Sequence, residues 1–225
     1  MTTASRFPAA WCATDLGEYR PCSATYENYS YDSVPPLDPA RFDGTFAWFG
    51  DPGPESKEGA ATADELDRVL ADEGLRLPRD FVRFLSYEGL RQALDQVSVT
   101  ACYLDVAKPV PSPVERGAYL VTFLRDQQDC AFWHLYLRPS GETFVVHTFE
   151  PLERFELFAA RNGGEPSAAD LEHMTQAIFW CAPTFEEFAF RFWIENRLWY
   201  VTNERHREPD PVERAYLDHY ATQKG

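Results

Sequence analysis

Residues 182–200 read APTFEEFAFRFWIENRLWY, the densest aromatic run in the chain. Thr184 followed by Glu187 is a capping box, the pattern that satisfies orphan amides at a helix start, and Pro183 closes off what precedes it. On a helical projection Phe185, Phe188, Ala189, Phe192, Trp193, Trp199 and Tyr200 share one face. Glu186, Glu187, Arg191, Glu195 and Arg197 fall on the opposite arc. Phe190, Ile194 and Leu198 interrupt that arc, so the helix is expected to touch neighbours on both flanks. Asn196 projects into the apolar face, where its amide must find partners or cost about 1–3 kcal/mol. The run reads as the main core helix rather than as a cofactor box.

Upstream of it, three strands are predicted at Ala118–Leu124, Cys130–Leu137 and Glu142–Phe149, joined by short connections into an antiparallel meander. Arg138-Pro139-Ser140-Gly141-Glu142 suits a type I turn with Gly141 left-handed, a three-residue hairpin. That register pairs Arg138 with Glu142, His134 with Val146 and Trp133 with His147. Trp133, Leu135 and Leu137 should then sit on the helices. Phe132, His134 and Tyr136, only half apolar, should face water, the N-terminal arm or a partner. A loop with Asn162-Gly163-Gly164 leads to a helical stretch from about Ala168 to Phe179.

Further upstream, Thr62-Ala63-Asp64-Glu65 is a second capping box, with Leu66, Val69 and Leu70 at helical spacing and Gly74 as the stop. Leu77-Pro78 opens another helix carrying Phe81, Phe84 and Leu85, with Gly89 at its end. The two make a helical hairpin. Residues 97–106 read as a strand, before prolines 109, 111 and 113. Residues 1–60 form an irregular, aromatic and proline-rich arm in which only Thr45–Phe49 looks like a strand; its aromatic content predicts packing on the domain. Residues 61–202 are the domain proper. In the tail, 203–225, Asp210 as N-cap, Pro211 at N1 and Glu213 at N3 start a short helix with Val212, Tyr216, Leu217 and Tyr220 on one stripe. The order is α+β, with helices gathered on one face of an antiparallel sheet.

The 225 residues contain 44% hydrophobic and 15% aromatic side chains, ample for a core without metal or disulfide staples. A net charge of −15 with no basic segment argues against a nucleic-acid ligand. It favours solubility and attraction to basic partners. Cys12, Cys22, Cys102, Cys130 and Cys181 form no zinc or redox pattern, so reduced thiols are expected. With no apolar leader and no run near the ~20 residues of a membrane span, the expected location is the cytoplasm.

Chemistry-bearing motifs are absent. Cys130 and His134, four apart on a strand, lie roughly 13 Å from each other, too far for one ion. The register puts His134 and His147 on opposite faces of the sheet. There is no nucleophile elbow, no phosphate cradle at Gly163-Gly164, and Glu186-Glu187 suits a helix first turn. No catalytic residue, cofactor or metal is assigned.

Several stretches, in this order, resemble the SUKH superfamily, the Smi/Knr-type group. They are Leu77-Pro78-Arg79-Asp80-Phe81; Asp126-Gln127-Gln128-Asp129-Cys130 leading into Trp133-His134-Leu135-Tyr136-Leu137, with Gly141 and Val145-Val146 after it; and Ala182 through Phe188 continuing to Ile194-Glu195-Asn196. The likeness covers roughly 62–200 and leaves the arm and tail unmatched. It implies an α+β domain without catalytic activity: an immunity protein that silences a cognate toxin, or a regulatory scaffold for a client protein. The expected partner surface is Asp126, Gln127, Gln128, Asp129, Phe132, His134 and Tyr136; ordinary hairpin-turn chemistry is the alternative for the loop residues.

Overall fold

A computed structural model describes residues 6–155, 166–204 and 207–223, which contain both helices and antiparallel strands, an α+β chain. The expected loop at Asn162-Gly163-Gly164 lies outside the described residues. The elements are β1 (Ala10–Ala13), β2 (Glu27–Ser30), α1 (Lys57–Ala71), α2 (Arg79–Ser86), α3 (Glu88–Val97), β3 (Tyr103–Leu104), β4 (Val110–Pro111), β5 (Tyr119–Arg125), β6 (Phe132–Leu137) and β7 (Thr143–Thr148). They continue with α4 (Ala168–Ala177), β8 (Phe179–Ala182), α5 (Phe185–Trp199) and α6 (Pro211–Gln223).

The main sheet runs β3-β5-β6-β7-β8, with β4 also on β5. Between β6 and β7 the turn sets the register as expected: Arg138 N donates to Glu142 O at 3.0 Å, Gly141 is left-handed at φ +85°, and Trp133 faces His147 while His134 faces Val146. Two residues per turn of pleat then send Trp133, Leu135 and Leu137 to one side and His134 and Tyr136 to the other. The first side packs on Phe185, Phe188, Ala189 and Phe192 of α5 and on the α1–α3 side chains Leu66, Phe81, Phe84 and Leu94. The second is not open. Leu120, Tyr136, Phe144 and Val146 are covered by Phe7, Val114, Phe155, Met174 and Ile178.

Several expectations are corrected. The helix at α1 begins at Lys57, capped by Ser56, whose hydroxyl accepts Gly59 N–H at 3.2 Å; Thr62 is interior and donates back to Glu58 O. Gly89 does not stop α2 but sits in the first turn of a third helix, where a Cβ would lie 2.6 Å from Pro52 O. Only Tyr103–Leu104 of the 97–106 stretch is strand. Thr45–Phe49 is a turn, and the helix expected to reach Phe179 ends at Ala177, with Phe179 opening strand β8 before the aromatic helix.

Helix α5 starts at Thr184, whose hydroxyl accepts Glu187 N–H at 3.1 Å. Its charged arc, however, is interior: Glu186, Glu187, Arg191 and Glu195 are all buried. The far side of the helix (Phe190, Ile194, Leu198) packs on Leu16 and on Tyr216, Leu217 and Tyr220 of α6. A helix buried on all but its edge at Trp193 and Arg197 must find partners for the charges it takes inside. Glu195 accepts from Trp11 Nε1 (2.7 Å), Arg20 Nη1 (2.8 Å) and Nη2 (2.7 Å), and Tyr216 hydroxyl (2.7 Å). Arg191 donates to Tyr216 hydroxyl and Pro35 O. Asn196 accepts Val99 N–H at 2.9 Å and donates to Phe192 O at 2.8 Å, satisfying the amide in the apolar face.

The arm and tail are therefore parts of the core. Strand β1 carries Trp11 into the main cluster and joins the sheet through Trp180 N to Pro8 O at 2.9 Å. Asp210 caps α6 reciprocally, its carboxylate accepting Glu213 N–H while Glu213 accepts Asp210 N–H, both at 2.9 Å. Val212 alone of the expected stripe stays exposed.

Candidate functional site

The seven residues expected to form a partner surface do not lie together on the outside. Asp126, Phe132, His134 and Tyr136 are buried, and Gln127, Gln128 and Asp129 alone are exposed. Asp126 organises the turn: Oδ1 accepts Gln128 N–H at 2.8 Å and Oδ2 accepts the Tyr26 hydroxyl at 2.9 Å. Asp129 takes the left-handed conformation (φ +56°) that aspartate tolerates and pairs with Arg125 at 2.9 Å. The loop is hairpin-turn chemistry. The face beyond it is interior because neighbouring strands satisfy its polar atoms.

His134 is the clearest case. Thr148 hydroxyl donates to Glu150 O at 2.7 Å, so it must accept the proton on His134 Nε2 at 3.1 Å. Nδ1 is then the acceptor for Thr122 hydroxyl at 2.9 Å. Burial, aided by the charge of His147, pushes the imidazole down to about 3. His147, on the opposite face as the register requires, is also pushed down to about 3 by burial and stacks on Phe179 at 5.0 Å. Both are neutral near pH 7, and a base that weak takes little from a threonine hydroxyl. Burial raises the thiols of Cys12, Cys102 and Cys181, and that of Cys22 to about 11, away from the thiolate. Among the described residues no group of three His, Cys, Asp or Glu side chains could hold a metal ion.

A different surface has been built with care. Between Asp43 and Asp51 the chain turns through Gly44 (φ +88°), Phe46 (φ +58°) and Gly50 (φ +92°). For a bulky residue the left-handed region costs on the order of 1–3 kcal/mol and persists only where surroundings over-determine it. Here they do. The Glu186 carboxylate accepts Gly44 N–H at 2.5 Å and Phe46 N–H at 2.6 Å, while Glu186 N–H is itself held by Asp80 at 2.9 Å. Burial pushes both carboxyls up, opposed by those amides. The Phe46 ring is locked in the core between Phe84 and Phe185, each 6.4 Å away, and Arg83 Nε donates to Thr45 O at 3.0 Å.

The result is that Trp48 and Phe49, half-buried, are held beside α5. Trp48 lies 5.1 Å from Phe190 and 5.4 Å from Trp193, and Phe49 lies 6.5 Å from Trp193. The Arg197 guanidinium stacks over Trp193 at 4.5 Å, steadied by Glu213 at 2.9 Å and Asp210 at 3.4 Å. Tryptophan, phenylalanine and arginine are side chains enriched in protein interfaces, tryptophan and arginine most of all at the positions that carry the binding energy. Sequence reading missed this rim, placing Trp48 and Phe49 in a strand and Trp193 in the core. The signal was present: Gly44, Gly50, Pro52, Gly53 and Pro54 punctuate the stretch as turns do. No family model, curated protein or solved structure matches the chain.

Proposed function

We propose that this chain is a non-catalytic protein-binding domain, an immunity protein that docks on a cognate toxin in the cytoplasm and neutralises it. The observation that carries the reading is the strained loop at Phe46: its left-handed backbone, fixed by the buried Glu186 carboxylate, seats the Phe46 ring in the core and holds Trp48 and Phe49 beside Trp193, over which Arg197 stacks. The charge of −15 favours a basic partner through steering and complementarity. No helix among the described residues is long and apolar enough to cross a membrane. The SUKH-type arrangement belongs to the same proposal: an N-terminal helical hairpin and an aromatic C-terminal helix on one face of the β-meander. A regulatory scaffold for a client protein is the second reading, favoured by the aromatic rim alone. Deleting the arm does not separate the two, because Trp11, Arg20 and Phe46 are core residues.

The test is affinity capture from the source cell with the native chain and with Trp48→Ala plus Trp193→Ala. Each truncation of an interface anchor should cost about 2 kcal/mol or more, roughly 30-fold in affinity, so the partner is lost while thermal unfolding stays cooperative. A folded double variant that still captures the same partner refutes the rim. Co-expression with the captured protein then decides the role: relief of its toxicity marks immunity, and an unaltered or enhanced activity marks a scaffold.

A further inference from the structure

We propose that the cleft between the start of α1 and the outer face of α2 binds a small phosphomonoester. The cleft is open to solvent and offers about 430 Å³, within the ~300–1,000 Å³ of small-ligand sites. Arg79, Arg83 and Tyr87 are spaced four residues apart along α2 and its cap, so they line one face, and Lys57 faces them from α1. In a chain with 36 acidic and 21 basic residues, three cations converge here with one carboxylate, Glu55, in the lining.

These cations are not spent on the fold. Lys57 and Arg79 have no ion-pair partner among the described residues, whereas eight other arginines do. Arg83 is held at its base and left open at its end. Its Nε donates to Thr45 O at 3.0 Å and its guanidinium lies 4.8 Å from the Tyr87 ring centre, which fixes the plane while the two terminal nitrogens make no hydrogen bond among the described residues. Asp43, within electrostatic reach of Arg83, spends its carboxylate on Thr45. Arg79 and Arg83 one turn apart form a like-charge pair that a helix tolerates at a loss unless an anion lies between.

The geometry selects the ligand class. A forked guanidinium with a second one beside it and an ammonium opposite matches the three oxygens of a phosphate dianion better than a single carboxylate. The space exceeds one phosphate, and Ala60, Val82 and the Tyr87 ring give the remainder an apolar wall for an organic group. The inference does not depend on the protein-partner reading, since the cleft and the aromatic rim share only the Thr45 carbonyl.

The experiment is calorimetric titration of the full chain with phenyl phosphate, inorganic phosphate, benzoate and a phosphoserine peptide. Phenyl phosphate should bind saturably at one site, more tightly than inorganic phosphate or benzoate. Affinity should fall several-fold from about pH 7.5 to about pH 5, as the phosphate loses its second charge near pH 6. Lys57→Ala and Arg79→Ala change exposed side chains without ion-pair partners among the described residues, so neither should lower the thermal midpoint, and each should weaken binding about tenfold. Absence of saturable binding overturns the proposal, as does a double variant that binds like the native chain. Inorganic phosphate binding as tightly as phenyl phosphate overturns the organic part, and a phosphopeptide binding tenfold tighter reassigns the site to a macromolecule.

Discussion

Replacing Glu195 by alanine should be among the most damaging single changes available to this chain. The carboxylate, 2% exposed, is the common acceptor for Trp11, Arg20 and Tyr216, side chains from β1, the arm and α6. Its removal strands Arg20, also 2% exposed, among the rings of Tyr29 and Tyr220 at 5.1 and 5.2 Å with no carboxylate to answer it. Breaking a buried pair from one side costs about 3–5 kcal/mol, and the orphaned indole and phenol add to that within the same network. For a chain of this size each kcal/mol moves the melting temperature by about 2–4 °C, so the expected fall is roughly 6–20 °C. Urea unfolding followed by tryptophan fluorescence gives the free energy, and calorimetry the midpoint. Arg20→Met with Glu195→Leu should cost less than the two single changes added together, because neither charge is left alone. The difference between native and variant also carries a pH signature. Burial alone would raise the Glu195 carboxyl above 4.5, but the charge and hydrogen bonds of Arg20 reverse this and leave it lowered. A carboxyl depressed in the folded state stabilises above its unfolded value and loses that contribution as pH falls through the folded one. The gap between native chain and Glu195→Ala should therefore be largest above pH 4.5 and narrow as pH falls through the lowered folded value. A cost under about 1 kcal/mol, or strictly additive single changes, would show that the network does not hold arm, helix and tail together.

Gly59→Ala should reverse the usual sign of its kind. Alanine normally gains about 1 kcal/mol over glycine inside a helix, but here the new Cβ would overlap Leu85 O and lie 2.8 Å from Leu85 C, backbone atoms that cannot step aside, so a raised melting temperature would refute the packing of α1 on α2. Acid should unfold the chain partly through its two interior histidines: held at about 3 against an ordinary 6.5, they leave the unfolded state binding up to two more protons between those values, so stability falls on acidification by up to about 1.4 kcal/mol per pH unit for each. His134→Gln should remove about half of that slope in urea midpoints measured across the range, and parallel curves for native and variant would contradict it; Asp80, Glu186 and Glu187, pushed up by burial, act in the opposite sense but are common to both proteins and cancel.

What could be read in the residues, and what could not, divides along the reach of the interactions. The β6–β7 register was legible because a single turn, Pro139-Ser140-Gly141, fixes it within the segment, and the starts of α5 and α6 were legible because Thr184 and Asp210 cap their own helices. The burial of Arg191 and Glu195 was not, since a charged side chain on a helical projection states only that it needs a partner, and the partners Arg20 and Pro35 stand 175 and 156 residues away. The same reasoning explains the misplaced surface. Phe132, His134 and Tyr136 look like a wet strand face until Thr122, Thr148 and Ser112 are found bonded to the polar two of them. Thr45–Phe49 has the composition of a strand, and its propensity is overridden by two amide bonds to a carboxylate on α5. Some polar residues in this sequence, Glu195, Arg191, His134 and Asn196 among them, thus mark where the interior is cross-linked rather than where it ends. The surface worth testing is at Trp48, Phe49 and Trp193, half-buried rings held beside α5 by a loop whose amides a buried carboxylate fixes.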